Sequence, residues 1–350
     1  MNIKSLLLGS AAALAAVSGA QAADAIVAAE PEPLEYVRVC DAFGTGYFYI
    51  PGTETCLKIS GFIRFQTTFG EDQSGSSDWD AFSRGFIAFD AKSDTEFGTL
   101  TGFFAIEADQ DNQNSNNFKV DEAYIQLGGF KVGSFWSWWD KGLNGETDIN
   151  GNDTTKFNSV AYLYDGGTFQ AGVAVEELEG VTSKPNGVGV SAIVSASLGG
   201  VSFDLLGSYD SEVEEGAIRG LVSADLGPGV LQALAIWSSD PNAYWSVSEW
   251  SVAASYRFNA TEKFAITPGA QYFGNIRNGV EFNDAWVGSL GNEGFGNGDA
   301  WKVGITGDYQ ITEGLATRVT VNYTEVDYDT PIAGAQDDFI SGFVRLQRDF

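Results

Sequence analysis

Residues 139–158 read WDKGLNGETDINGNDTTKFN and show neither a helical nor a strand period. Four acids, Asp140, Glu146, Asp148 and Asp153, stand there against Lys141 and Lys156. Carboxylates gathered on one irregular segment can do two kinds of work. They can trade protons with a substrate, or they can hold a fixed field that sorts charged solutes. The rest of the chain bears on that choice. The 350 residues contain no histidine. That removes Ser-His-Asp and Cys-His catalysis and histidine metal sites together. The nearest thing to a phosphate-cradling loop, GFGNG at 294–298, lacks a lysine and a following helix. No enzyme, cofactor or metal site is expected. The only cysteines, Cys40 and Cys56, lie close together, and in an oxidising compartment they read as one local disulfide.

The elements that would carry these residues begin after a leader. Residues 1–22 combine Lys4, an apolar run and the ending Ala20-Gln21-Ala22. That is the pattern of a secretory signal peptide, and the run is shorter than the roughly 20 residues a spanning helix needs. Residues 23–56 form a lead-in broken by Pro31, Pro33 and several glycines, and they read as a disulfide-closed segment at a periplasmic mouth. The net charge is −28. A polyanion would be repelled, so nucleic acid is not an expected partner.

From residue 57 to 350 the chain alternates. In 57–69, Leu57, Ile59, Gly61, Ile63, Phe65, Thr67 and Phe69 share one face. Lys58, Ser60, Arg64, Gln66 and Thr68 share the other, with Phe62 out of pattern. Similar segments recur, joined alternately by tight turns and by long polar connections. This predicts an all-β fold, an antiparallel up-and-down transmembrane β-barrel of about 16 strands, with short turns at one rim and long loops at the other.

Alternation alone leaves open which face points inward. Trp250/Phe258, Trp301/Tyr309 and Phe264/Tyr272 are each eight residues apart, roughly 27 Å along a strand. Tilted by about 40°, that spans most of a ~25 Å apolar band, so the aromatics read as girdles at two lipid–water boundaries. The opposite face carries Lys58, Arg64, Arg84, Lys92, Arg219, Arg257, Lys302, Arg318 and Arg345. Each would cost about 2–4 kcal/mol against mid-membrane lipid, so a water-filled lumen suits them. The chain ends on Phe350, a terminal aromatic on an alternating strand, which resembles the signal read by the barrel assembly machinery of the outer membrane.

PEPLEYVRVC (31–40), GYFYIPGTETCLKISGF (46–62), FDAKSDTEFGTL (89–100) and GFVRLQRDF (342–350) resemble the general porins of α-proteobacteria. The resemblance covers the whole chain. It implies a 16-stranded homotrimer in the outer membrane, among lipid and lipopolysaccharide, passing small hydrophilic solutes by passive diffusion. It also implies that the loop after the fifth barrel strand folds into the pore, and 139–158 follows the fifth alternating segment, the first five being 57–69, 82–92, 99–109, 119–127 and 130–138. Asp140, Glu146, Asp148 and Asp153 are then expected on the acidic side of a constriction. Arg64, Arg84 and Arg345 are expected on a basic wall across the barrel's closure. The charge balance points to weak cation preference, and a channel specific for one sugar or ion is the alternative.

Overall fold

The computed structural model describes residues 38–70, 77–111, 117–152, 155–178, 187–279, 282 and 294–350. The signal-peptide segment 1–22 and Asp153 lie outside the described residues. In chain order the strands are β1 (Phe48–Tyr49), β2 (Cys56–Phe69), β3 (Trp79–Thr95), β4 (Gly98–Asp111), β5 (Asn117–Leu127) and β6 (Phe130–Trp136). They continue as β7 (Lys156–Asp165), β8 (Phe169–Glu177), β9 (Val188–Leu198), β10 (Val201–Asp210), β11 (Glu215–Leu226) and β12 (Gly229–Ser238). The last five are β13 (Ser248–Asn259), β14 (Phe264–Ile276), β15 (Asp299–Thr312), β16 (Leu315–Asp327) and β17 (Asp338–Asp349).

Each strand from β2 onward pairs antiparallel with the next, and β17 returns to β2, so β2 to β17 close a 16-stranded barrel. Closure leaves no sheet edge with unpaired backbone groups, which is what a strand protein needs in hydrocarbon. Beyond β17, Gly61 and Phe350 exchange both backbone hydrogen bonds, at 3.0 and 2.9 Å. The last residue thus extends the seam, and a Cβ at position 61 would meet the Phe350 ring at 3.0 Å and the Phe86 carbonyl at 2.2 Å. Outside the barrel, β1 pairs with the start of β2, and the Cys40–Cys56 disulfide joins the lead-in to that corner.

Burial settles the direction of the faces. On β13, Trp250 and Val252 are 40% and 46% exposed, whereas Ser251 and Ser255 are 0% and 4% exposed. On β11, Ile218 points out and Arg219 is buried. Apolar side chains outside and polar ones inside is the inverse of a soluble barrel and the arrangement lipid requires. The outer aromatics meet across strands, Trp250 with Tyr272 at 5.3 Å, Trp301 with Tyr323 at 5.4 Å and Phe264 with Tyr309 at 6.5 Å.

The interior is not evenly open. Leu206, Leu221, Leu234 and Ile236 from β10 to β12 form one apolar cluster with Trp139 and Leu143 from the β6–β7 connection and Tyr244 and Trp245 from the β12–β13 connection. Its other buried members on strands come from β7, β9 and β13–β16, and among the described residues none comes from β2–β6.

Candidate functional site

β6 is the fifth strand of the barrel, and the irregular segment after it runs over 137–155 because Lys156 to Asn158 already pair in β7. Ser137 opens the segment by capping a single turn, accepting from the Trp139 N–H at 3.1 Å. That turn drives Trp139 onto the wall, where its indole N–H donates to Ser208 Oγ at 2.8 Å and its ring is fully buried. Arg219 reaches across from β11 and donates to the carbonyls of Trp138, Trp139 and Asn150 at 2.6, 2.7 and 3.0 Å. A buried polar group needs such partners, and here a buried cation and the loop's loose carbonyls satisfy one another.

Further along, the wall itself stands in for secondary structure. Gln271 on β14 accepts from Ile149 N at 2.6 Å and donates to its carbonyl at 2.8 Å, as a neighbouring strand would. Thr306 accepts from Glu146 N at 3.1 Å, and Asn322 donates to the Glu146 carbonyl at 3.1 Å. Close docking requires missing side chains on the wall. A Cβ at Gly269 would lie 3.0 Å from Thr147 Cβ, and one at Gly304 would lie 2.6 Å from Thr147 Oγ1.

A second connection, 239–247, is also buried against this segment. Asn152 donates to the carbonyls of Asn242 and Ala243 at 2.9 and 3.1 Å and accepts from the Ser246 N–H and hydroxyl at 3.0 Å. Tyr244 and Trp245 are fully buried, and the Tyr244 hydroxyl donates to Glu176 at 2.6 Å. Burial and the Glu176 carboxylate push the Tyr244 phenol far above its usual range, so it keeps its proton and donates to that carboxylate. This connection is not singled out in the sequence reading above, and its one signal is the run Ala243-Tyr244-Trp245 within polar surroundings. Four amides and hydroxyls that hold 137–155, on Gln232, Gln271, Thr306 and Asn322, carry no motif and become visible only through register.

The expected charged residues separate into distinct settings. Glu146 ion-pairs with Arg318 and lies 4.0 Å from Arg345 Nη1. Asp148 turns back on its own segment and accepts from Leu143 N at 3.0 Å. Burial raises the Asp148 carboxyl above the ordinary carboxylate range, against the lowering effect of that N–H. Asp140 sits exposed on the turn after Ser137. Arg84 pairs with Asp109 at 2.7 Å and Glu107 at 3.0 Å on the adjacent strand. Arg64 donates to Gln347 at 2.7 Å, and Arg345 donates to Gln66 at 2.7 Å. Arg318, not among the three singled out, is the direct partner of Glu146. It also binds Asp308 at 2.6 Å, which Arg257 shares at 2.5 Å. The register Arg318↔Arg345 places both on the same inward row.

A closed 16-stranded barrel with an apolar exterior and a charged interior defines a membrane channel, with no arrangement for covalent chemistry among its described residues. Comparison with known proteins gives the particular kind. The porin subfamily profile matches residues 24–343. A putative outer membrane protein of Sinorhizobium fredii is 62% identical over 100% of this chain and 99% of its own length. Outer membrane protein IIIA of Rhizobium leguminosarum bv. viciae is 46% identical, covering 93% of this chain and 90% of its own. Porin Omp2a of Brucella suis is 34% identical over the full length of both. Among solved structures, the outer membrane channel DcaP of Acinetobacter baumannii superposes with a TM-score of 0.63 at 14% identity, covering 86% of this chain and 99% of that one. A porin from Rh. blastica superposes at 0.57, also at 14% identity, covering 84% of this chain and all of its own. The chain belongs to the porin subfamily. It is an integral multi-pass β-barrel of the outer membrane and forms a channel; it is not an enzyme.

Proposed function

We propose that the protein is a general-diffusion porin for small hydrophilic solutes and ions, narrowed by residues 137–155 and weakly selective for cations. The observation that carries this reading is the placement of Glu146. It stands on a segment docked to the β14–β16 wall, and its carboxylate faces Arg318 and Arg345 on β16 and β17. Acid on one side and guanidinium on the other set a transverse field. Such a field orders water and disfavours apolar solutes, while width sets a size limit for neutral polar ones. Arg64 and Arg84 extend the basic wall in this reading. Asp140, Asp148 and the undescribed Asp153 add negative charge to the segment's side. The overall charge of −28 supports the cation preference.

One structural neighbour supports the assembly. One neighbour of the same fold, OmpT of Vibrio cholerae, is described in a trimer form, and three copies are the expected state here. The outward Phe350 on the closing seam suits recognition by the barrel assembly machinery, and the acidic long loops suit lipopolysaccharide through bridging cations.

Excising residues 144–147 tests the reading. The ends of that tip are already joined by the Leu143–Asp148 hydrogen bond, so the barrel should survive. Single-channel conductance in planar bilayers should rise, in ohmic steps grouped in threes. Unchanged conductance would show that the segment does not narrow the path. A very small conductance blocked by one sugar or ion would instead favour a substrate-specific channel.

A further inference from the structure

Below the Glu146 contact, towards the tight-turn rim, lies a cavity of about 460 Å³ whose lining includes Arg64, Arg257, Arg318 and Arg345 together with the carboxylates of Glu262, Asp308 and Asp349. Its arginines are not equivalent. Arg257 and Arg318 share the Asp308 carboxylate, and Arg318 also takes Glu146. Arg64 and Arg345 have a different arrangement, repeated once in each direction across the barrel seam. Arg64 on β2 gives its Nε–H to Gln347 on β17, and Arg345 on β17 gives its Nε–H to Gln66 on β2, both at 2.7 Å. The partners are register neighbours, Gln347↔Arg64 and Arg345↔Gln66. Each guanidinium also lies over a phenylalanine two residues earlier on its own strand. Arg64 is 4.6 Å from the Phe62 ring centre and Arg345 is 4.3 Å from that of Phe343.

Both side chains are therefore fixed by neutral groups. A neutral amide takes one N–H and a ring supports the plane, but neither cancels the charge. Among the described residues, no carboxylate hydrogen-bonds to either one; the nearest approach is Glu146 to Arg345 at 4.0 Å. In a chain of net charge −28, two oriented, half-buried guanidiniums with no hydrogen-bonded carboxylate are an unusual expense, and a passing oxyanion would relieve it. Guanidinium forks match carboxylate and phosphate oxygens in pairs.

We propose that Arg64 and Arg345 form a binding subsite for the carboxylate or phosphate group of a small solute, held in the cavity on the turn side of the Glu146 contact. Phe62, Phe343, Gln66 and Gln347 are its positioning residues. The subsite rests on the channel reading above. It lets a channel that leans towards cations overall retain an anionic solute at one place.

The test is single-channel recording in KCl with inorganic phosphate, and separately succinate, as the probe. In the wild-type trimer the probe should lower conductance along a saturating curve. Arg64→Gln and Arg345→Gln should each raise the half-blocking concentration about tenfold or more, the usual loss for a charge-assisted hydrogen bond. Phe343→Leu keeps every charge and should raise it about two- to tenfold, the range of a lost cation–π contact. Lys119→Gln removes a cation that pairs with Glu107 away from the cavity and should leave the curve in place. Block by phosphate but not succinate, or the reverse, decides which oxyanion the subsite takes. KCl steps without any saturable block would overturn the subsite while leaving the channel. An equal shift in Lys119→Gln would also overturn it, by showing that only summed charge matters. Absence of KCl steps would remove the channel reading and the subsite with it.

Discussion

Arg219 and Trp139 meet twice. The guanidinium donates to the Trp139 carbonyl at 2.7 Å, and its central carbon lies 5.1 Å from the centre of the Trp139 ring. The two further carbonyls it binds, on Trp138 and Asn150, come from the start and the end of the same excursion. One buried side chain thus ties both legs of the loop to β11. Carbonyl dipoles stabilise the charge where a carboxylate would have pulled it away from the loop.

Arg219→Met tests that tie. It keeps much of the side-chain volume but leaves three carbonyls without their donor. The loss should be about 3 kcal/mol, the scale of several buried acceptors left unpaired. Urea unfolding followed by tryptophan fluorescence should show it. Single channels should open but flicker, because the loop is still joined at Gln271 and Asn152. Quiet channels of unchanged conductance would show that the apolar contacts of Trp139 and Leu143 hold the loop alone.

Glu146→Gln removes the carboxylate facing Arg318 and Arg345 and keeps the backbone bonds to Thr306 and Asn322. A unit charge about 4 Å from an ion in water is worth about 1 kcal/mol, so relative permeability should change several-fold towards anions. The reversal potential in a KCl gradient reads this directly. No shift would place Glu146 outside the ion path.

Much of the fold was legible because a membrane strand has a strict period of two. The girdle pairs, the turns and the seam residue Phe350 all follow from it. The position of the acidic excursion was legible as a break in that period. Its docking was not, because Gln232, Gln271, Thr306 and Asn322 are ordinary lumen-face polar residues until register places them beneath one loop. The same limit applies to acids. Asp148 and Glu146 lie two residues apart with equal charge, yet one folds back on Leu143 and the other reaches Arg318. Arg318 was visible as a lumen cation, but its role as partner of Glu146 depends on a contact between positions 172 residues apart. Phe62 broke the alternation of its strand, and its place beneath Arg64 supplies the reason.

Asp148 carries a pH dependence whose sign follows from burial. Its carboxyl is held above the ordinary value, so the folded state binds a proton more tightly than the unfolded chain. Stability therefore falls as pH rises from the unfolded carboxylate value through the raised folded one, and it is greatest below that window. Asp148→Asn keeps an oxygen for the Leu143 N–H and has nothing to titrate. The difference between the unfolding midpoints of wild type and variant should move in the variant's favour as pH climbs through that window, and then level off. A difference that stays flat with pH would mean that the carboxylate is not desolvated.

The disulfide provides a contrast, because it touches the barrel without approaching the site. Cys40 and Cys56 close a loop of 16 positions around Tyr47, whose hydroxyl donates to Asp90 at 2.5 Å beside Lys92. These residues sit at the tight-turn ends of β2 and β3. Arg64 and Arg84, register partners at Arg64↔Arg84, lie eight positions further along both strands from the Cys56↔Lys92 pair. The double variant Cys40→Ser, Cys56→Ser frees a loop whose closure is worth about 3 kcal/mol in the chain-entropy model. It should lower the urea midpoint accordingly, and reducing agent should lower the wild type to the same value. Conductance and reversal potential should not move, since no group around Glu146 loses a partner. If conductance did change, the Tyr47 corner would have to reach into the ion path, and the narrowest point would lie nearer the turn rim than the Glu146–Arg345 approach.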